Sequence, residues 1–430
     1  MADSPVRPRL EEHAFAWAWA FAAVTLLSIA AQNVFFLAVA FSLAAAWRQG
    51  AWARLKPPPA LAWALPFLAL ALVASFASEN RAHSLETWRK WLLLIALWWT
   101  PVIADNERRL RGLLGALLFF SALWALGSSL LALGAPLQAW ASGESLVSVA
   151  HRWAELGEWR AVSGSGGYMV MGTGCMLLLA FYSALALEDP QWRKPLPLAC
   201  MAAIALALLL TQTRGAWAGA GLAVLGLLLL RQRRLLWVAA AVGVALLAWP
   251  HSPVRERIAQ SWDMSRDSTR ERVYMAQAGL AMIHDHPLLG IGDAMETWDG
   301  HPGFYRRYLP DGAKIWGTTK DQEHGHLHDD PIQIGAMYGL PALLAMLAFF
   351  ARLAWEGWRR TKSSQPLSRG LGWGMLALIL AWWVNGFAEY NFGSFQSSFT
   401  LWFMLGLGLS GMQTSPDPRA TDGKGTHAPG

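Results

Sequence analysis

His324-Gly325-His326-Leu327-His328-Asp329-Asp330-Pro331-Ile332-Gln333-Ile334-Gly335 passes in a dozen residues from a titratable loop to the start of an apolar helix. From Pro331 the chain reads as a helix over 331–351, because a bilayer span takes roughly 20 mostly apolar residues. The loop before it is polar and rich in histidine. Of the 11 His, seven lie between Pro250 and Pro331: His251, His284, His286, His301, His324, His326 and His328. Histidine exchanges protons near neutral pH, so a cluster at the mouth of an apolar helix points to chemistry at a membrane surface.

The rest of the chain agrees. Its hydrophobic fraction is 54%, only 15% of residues are charged, and the mean hydropathy is +0.29. Length and hydropathy predict about twelve helices: 14–30, 32–47, 60–77, 88–104, 111–134, 166–187, 195–211, 214–230, 235–249, 331–351, 371–387 and 393–411. This is an all-α, polytopic integral membrane protein. The 26 Trp suggest interfacial belts. Cys175 and Cys200 both fall inside apolar spans, which leaves no disulfide framework and no Cys-type zinc site.

Basic residues orient the helices. With the N-terminus inside, every short internal loop is basic, as at Arg48, Arg108, Arg193, Arg231 and Arg359. Residues 135–165 and 250–330 then become the long external, periplasmic loops of a transmembrane bundle spanning 1–411. The first span has no small-residue cleavage site after it and reads as retained. The tail 412–430 has the composition of a disordered, cytoplasmic segment. Loop placement accounts for the net charge of +6, so a nucleic-acid partner is not called for.

The informative charges are those that break this pattern. Arg214, in Thr211-Gln212-Thr213-Arg214-Gly215-Ala216-Trp217, stands between two apolar spans. It is either a snorkelling anchor or an anion ligand helped by the positive end of the following helix. Arg270 and Arg272 open a helical stretch through Ile283, with Ser268 or Thr269 as its cap. They could grip a diphosphate or simply pair with Asp267 or Glu271. Arg152 is an external arginine placed by position alone. His326 and His328 could take a proton from an attacking hydroxyl. A metal site with Asp329 and Asp330 has only a weak signature.

Three segments, in order, resemble the O-antigen ligase superfamily, which also holds O-antigen polymerases and bacterial protein O-oligosaccharyltransferases. They are Thr213-Arg214-Gly215-Ala216-Trp217; Arg270-x3-Tyr274 running into His286-Pro287-Leu288-Leu289-Gly290-Ile291-Gly292; and His326-x-His328-Asp329 with Gln333 and Gly339-Leu340. Tyr274 stands where the family commonly has Trp, and Asp329 where it commonly has Asn. The resemblance implies a GT-C-like transferase of the bacterial inner membrane, working as a monomer on its periplasmic face. Its donor would be O-antigen on undecaprenyl diphosphate and its acceptor a sugar of lipid A–core. Arg214 and Arg270, which match the family motifs, would hold the diphosphate, with Arg272 and Arg152 as candidates on position alone, and His326 or His328 would act as base without a metal. Polymerase and protein glycosyltransferase are the neighbouring readings. A transporter of lipid-linked glycan would keep its charges near the bilayer midplane, and an envelope scaffold would need no such charges.

Overall fold

The computed structural model describes residues 7–25, 31–50, 55–153, 159–164, 167–248, 252–261, 263, 267–296, 298–299, 301, 303–309 and 326–411. A helix occupies each of the twelve apolar stretches. The chain begins with α1 (Arg7–Val24) and α2 (Ala31–Gln49). A 3-10 segment, Pro59–Ala64, leads into α3 (Leu65–Ala77), and another, Arg89–Leu94, joins α4 (Arg81–Trp88) to α5 (Ile95–Ile103). There follow α6 (Glu107–Ala141), the short α7 (Leu146–His151), α8 (Gly167–Glu188), α9 (Pro195–Thr211), α10 (Arg214–Arg231) and α11 (Leu235–Ala248). The expected long loop carries α12 (Pro253–Ala259), α13 (Asp267–Asp285) and α14 (Phe304–Tyr308). The chain closes with α15 (Asp330–Arg360), α16 (Pro366–Gly386) and α17 (Phe395–Leu409).

Six helical segments among the described residues are long and apolar enough to cross a membrane: Pro59–Ala77, α6, α8, α10, α15 and α16. Val34–Gln49, α9, α11 and α17 are apolar but shorter. The protein is therefore a nearly all-helical, multi-pass membrane protein. Several boundaries differ from expectation: α1 begins at Arg7, α15 runs on to Arg360 and α16 begins at Pro366. Helix α6 runs on past residue 134, because Leu137-Gln138-Ala139-Trp140 favours helix and the stop comes only at Ser142 and Gly143, whose φ is +101°. Helix α13 starts at Asp267, so neither Ser268 nor Thr269 caps it; the Thr269 hydroxyl instead donates to the Gln260 carbonyl.

Helix α16 is central, packing on α8, α10 and α15. Small residues allow the close approach, as is usual between membrane helices. A Cβ on Gly372 would lie 2.6 Å from the Gly357 carbonyl oxygen of α15, and one on Gly219 would lie 2.7 Å from that of Ala381. The tryptophans do not all form belts. Trp382 and Trp402 are among the largest fully buried side chains. Phe392 sits between them, with ring centroids 4.9 and 6.1 Å away.

Polar contacts mark the two ends of the bundle. At one end Arg231 of α10 and Arg369 of α16 both bind Glu188, where α8 finishes, and Arg111 of α6 binds the neighbouring Asp189. Arg360, closing α15, donates to the carbonyls of Gly408 and Ser410. Several arginines of the basic loops thus have carboxylate or carbonyl partners. The other end gathers the starts of α8, α10, α15 and α17 and the end of α16, and the candidate site lies there.

Candidate active site

The site end is organised by a break in α15. Pro341 has no N–H and cannot serve the carbonyl of Met337 four residues earlier, and Gly339 leaves the helical region with φ +83°. Two helical carbonyls lose their partners, a cost unless something replaces them. The segment His286–Gly292 does so. Ile291 N–H donates to the Ala336 carbonyl at 2.9 Å, Gly292 N–H to that of Met337 at 2.8 Å, and Leu340 N–H donates back to the Pro287 carbonyl at 2.8 Å. Contact is too close for side chains. A Cβ on Gly339 would lie 2.2 Å from the Leu288 oxygen, and one on Gly290 would lie 2.4 Å from the Ala336 oxygen. Pro287-Leu288-Leu289-Gly290-Ile291-Gly292 and Gly339-Leu340-Pro341 are two halves of one backbone joint.

The joint delivers Asp293. Ser78 donates to the Ile291 carbonyl, Ser84 donates to Ser78, and Asp293 N–H donates to Ser84 at 2.8 Å. The Asp293 carboxylate then accepts from Thr87 at 2.5 Å and lies 3.3 Å from His83 Nε2. That hydrogen bond raises the His83 imidazole above its ordinary pKa despite the opposing effect of burial.

The turn into α15 is fixed from both sides. Gln333 accepts from Leu327 N–H at 2.6 Å, and Asp329 caps the helix by accepting from Ile332 N–H at 2.8 Å. Burial raises the Asp329 carboxyl above its usual range, outweighing that bond. Asp330 is buried and accepts from the Asn391 side chain and from Phe392 N–H, in the connection after α16. Asn385, at the end of α16, donates to Asn391 and to Thr173 of α8. Neither Asp329 nor Asp330 is arranged as a metal ligand. Among the described residues no group of three His, Cys, Asp or Glu could hold an ion.

This scaffold sets His328 beside Glu389. His328 takes a left-handed φ of +52°, unusual for a residue with a side chain. Its Nδ1 lies 3.0 Å from Glu389 Oε2. The other carboxylate oxygen, Oε1, accepts from Arg272 at 2.7 Å. Burial alone would raise the Glu389 carboxyl, but the His328 hydrogen bond and the Arg272 charge hold it below the usual carboxylate range. An ionised Glu389 accepts only, so in the neutral imidazole Nδ1 carries the proton and Nε2 the lone pair. The ring of His326 stands 4.3 Å from that of His328 and 6.0 Å from that of Tyr390. A cavity of about 380 Å³ is lined by His326, Glu389, Tyr390, Gln333, Asn391, Lys90, His83, Asp293 and Glu296, among others.

The remaining expected residues divide. Arg214 opens α10 after Gln212, whose φ is +56°, and donates to Ser261 at 3.1 Å. Next to it, a Cβ on Gly215 would lie 2.4 Å from Asn385 Oδ1, so Arg214 shares the end that holds the His pair. Arg272 binds Glu389. Arg270 is half-buried on α13; two residues apart on a helix, it and Arg272 do not face the same way. Arg152 binds Glu144 and stacks over Trp159; like Arg214, Arg270, Arg272 and His328, it is not among the residues lining the cavity. The seven-histidine cluster does not converge. His284 meets Asp285, His286 meets Phe304 and His301 meets Trp298, while His251 and His324 lie outside the described residues.

Residues 199–347, from α9 through the break in α15, match the family model described as O-Antigen ligase. Over that stretch the chain is similar to the O-antigen ligase family. Members of that family are glycosyltransferase-like enzymes, ligases and polymerases. No curated protein matches the chain. The matched stretch contains Arg214, Arg270, Arg272, the backbone joint, Asp293 and the His pair. Glu389, His83, Thr87 and Lys90 lie outside it, and the sequence reading did not single out any of them. A signal for Glu389 was present: between Arg369 and Met412 it is the only charged residue, set between two apolar helices where a carboxylate is costly unless paired.

Proposed function

We propose that this protein is an O-antigen ligase. It moves a glycan from undecaprenyl diphosphate to a hydroxyl of lipid A–core on the periplasmic face of the inner membrane, inverting the anomeric carbon. The observation that carries the reading is the Arg272–Glu389–His328 chain beside His326, with His326 and Glu389 lining an open cavity. His328 Nε2 takes the acceptor hydroxyl proton. The acceptor oxygen forms its bond to the anomeric carbon as the carbon–oxygen bond to the diphosphate breaks, and undecaprenyl diphosphate leaves with the electron pair. Glu389 stabilises the imidazolium, and His326 orients the acceptor or meets the phosphate. Arg214 and Arg270 offset the charge on the leaving group, the role that otherwise falls to a metal.

The test is reconstitution. Purified protein is supplied with lipid-linked O-antigen and lipid A–core, and the products are separated on a gel. A ladder attached to core is the expected result. Longer lipid-linked chains with core untouched would make the protein a polymerase, and glycan carried across a vesicle wall without a new bond would make it a transporter.

A further inference from the structure

A second cavity, of about 350 Å³, adjoins the first across three shared residues, His83, Asp293 and Glu296. Its other walls are Asn80, Ala82, Glu86 and Trp298. The volume falls at the low end of small-molecule sites, which run from roughly 300 to 1,000 Å³.

The chemistry of this cavity differs from that of the arginine side. Glu86, paired with Arg89 at 3.4 Å, Asp293 and Glu296 bring three carboxylates against one imidazole, a balance that disfavours a diphosphate. Among the described residues no cluster of His, Cys, Asp or Glu fits a cation either. What remains is a neutral or amine-bearing ligand rich in hydroxyl donors. Trp298 supplies the complementary surface. Its backbone is pinned by a pair of hydrogen bonds with His301, at 3.1 and 2.7 Å, and one ring face is stacked on His301 at 5.9 Å between centroids. A flat indole beside carboxylates and a carboxamide matches a pyranose, which has an apolar C–H face and a rim of hydroxyls.

We infer that this cavity is a saccharide subsite that holds the acceptor sugar, with Trp298 as its platform and Asp293, Glu296 and Glu86 accepting from its hydroxyls. The assignment rests on the transferase reading above. The acceptor lies against these carboxylates, and the wall the two cavities share leads on to His326 in the first.

Two measurements test this. The first needs no turnover. The full-length protein in nanodiscs is titrated with lipid-free core oligosaccharide and followed by saturation-transfer NMR. Binding is expected in wild type and in His328→Ala, and it should weaken at least roughly tenfold in Trp298→Ala and in Glu296→Gln. The second is steady-state transfer. Trp298→Ala should raise the acceptor KM by a similar factor, leaving the donor KM and the rate at saturating acceptor within about twofold. Oligosaccharide binding that depends on Trp298 in a protein that makes no core ladder would retain the subsite and reject the ligase. Binding indifferent to both substitutions, or a shift in donor KM alone, would overturn the subsite while leaving the ligase intact.

Discussion

Replacing Glu389 by Gln changes one atom and should remove most of the activity. The side chain keeps its length, so packing between the end of α16 and the start of α15 is preserved. What changes is the partner of His328 Nδ1, 3.0 Å away. The carboxylate fixes Nδ1–H and leaves Nε2 as the base. A Gln amide that keeps its oxygen on Arg272, 2.7 Å away, must turn its NH2 toward His328. The imidazole then accepts at Nδ1 and protonates at Nε2, so the lone pair faces the wrong way. General-base catalysis is worth roughly 10²–10⁴, and a wrong tautomer in a serine protease costs about 10⁴. The expected loss in turnover is therefore about 10²- to 10⁴-fold, or roughly 3–5 kcal/mol at 1.36 kcal/mol per decade. Donor binding should be nearly unchanged. Glu389→Asp, which keeps the charge but shortens the reach, should fall between Gln and wild type. The assay is single-turnover transfer to lipid A–core with donor binding measured separately. A Gln variant that transfers at the wild-type rate would refute the reasoning, because Glu389 would then be only a structural partner of Arg272.

Three further outcomes are expected. Arg214→Ala and Arg270→Ala should each abolish transfer while the protein still inserts, and Lys should rescue poorly if the contact is a two-pronged fork; transfer assays on membranes matched for protein level decide it. Gly339→Ala forces a side chain into left-handed backbone, 2.2 Å from the Leu288 oxygen, so strain and overpacking together should cost about 2–5 kcal/mol, read as a lower melting temperature in detergent. Asp329→Asn keeps the cap and removes a carboxylate whose pKa burial raises. The raised value means that wild-type stability falls as pH climbs from the unfolded pKa, about 3.9, to the folded one; the Asn variant should match wild type below that window and melt higher above it, with transfer retained.

The sequence by itself settled what depends on neighbours along the chain. The expected apolar stretches are helical, since hydropathy is a local property and the bilayer leaves the backbone few alternatives, but only six described segments are long and apolar enough to span, against about twelve expected. Arg214 at a helix start and His326 and His328 just before α15 were legible for the same reason. Clustering along the chain misled where it was taken for clustering in space: of seven loop histidines, among the described residues only His326 and His328 stand together. The tertiary structure alone decided the partners. Glu389 lies 61 residues from His328, and Asp293 lies 206 from Thr87. No periodicity joins such pairs. They meet because a proline and a glycine open α15, a distant segment fills the gap, and the packing of α8, α10, α15 and α16 brings four helix ends to one place. A charge in an apolar chain shows in the sequence that it needs a partner, and only the packing of the helices shows which one it has.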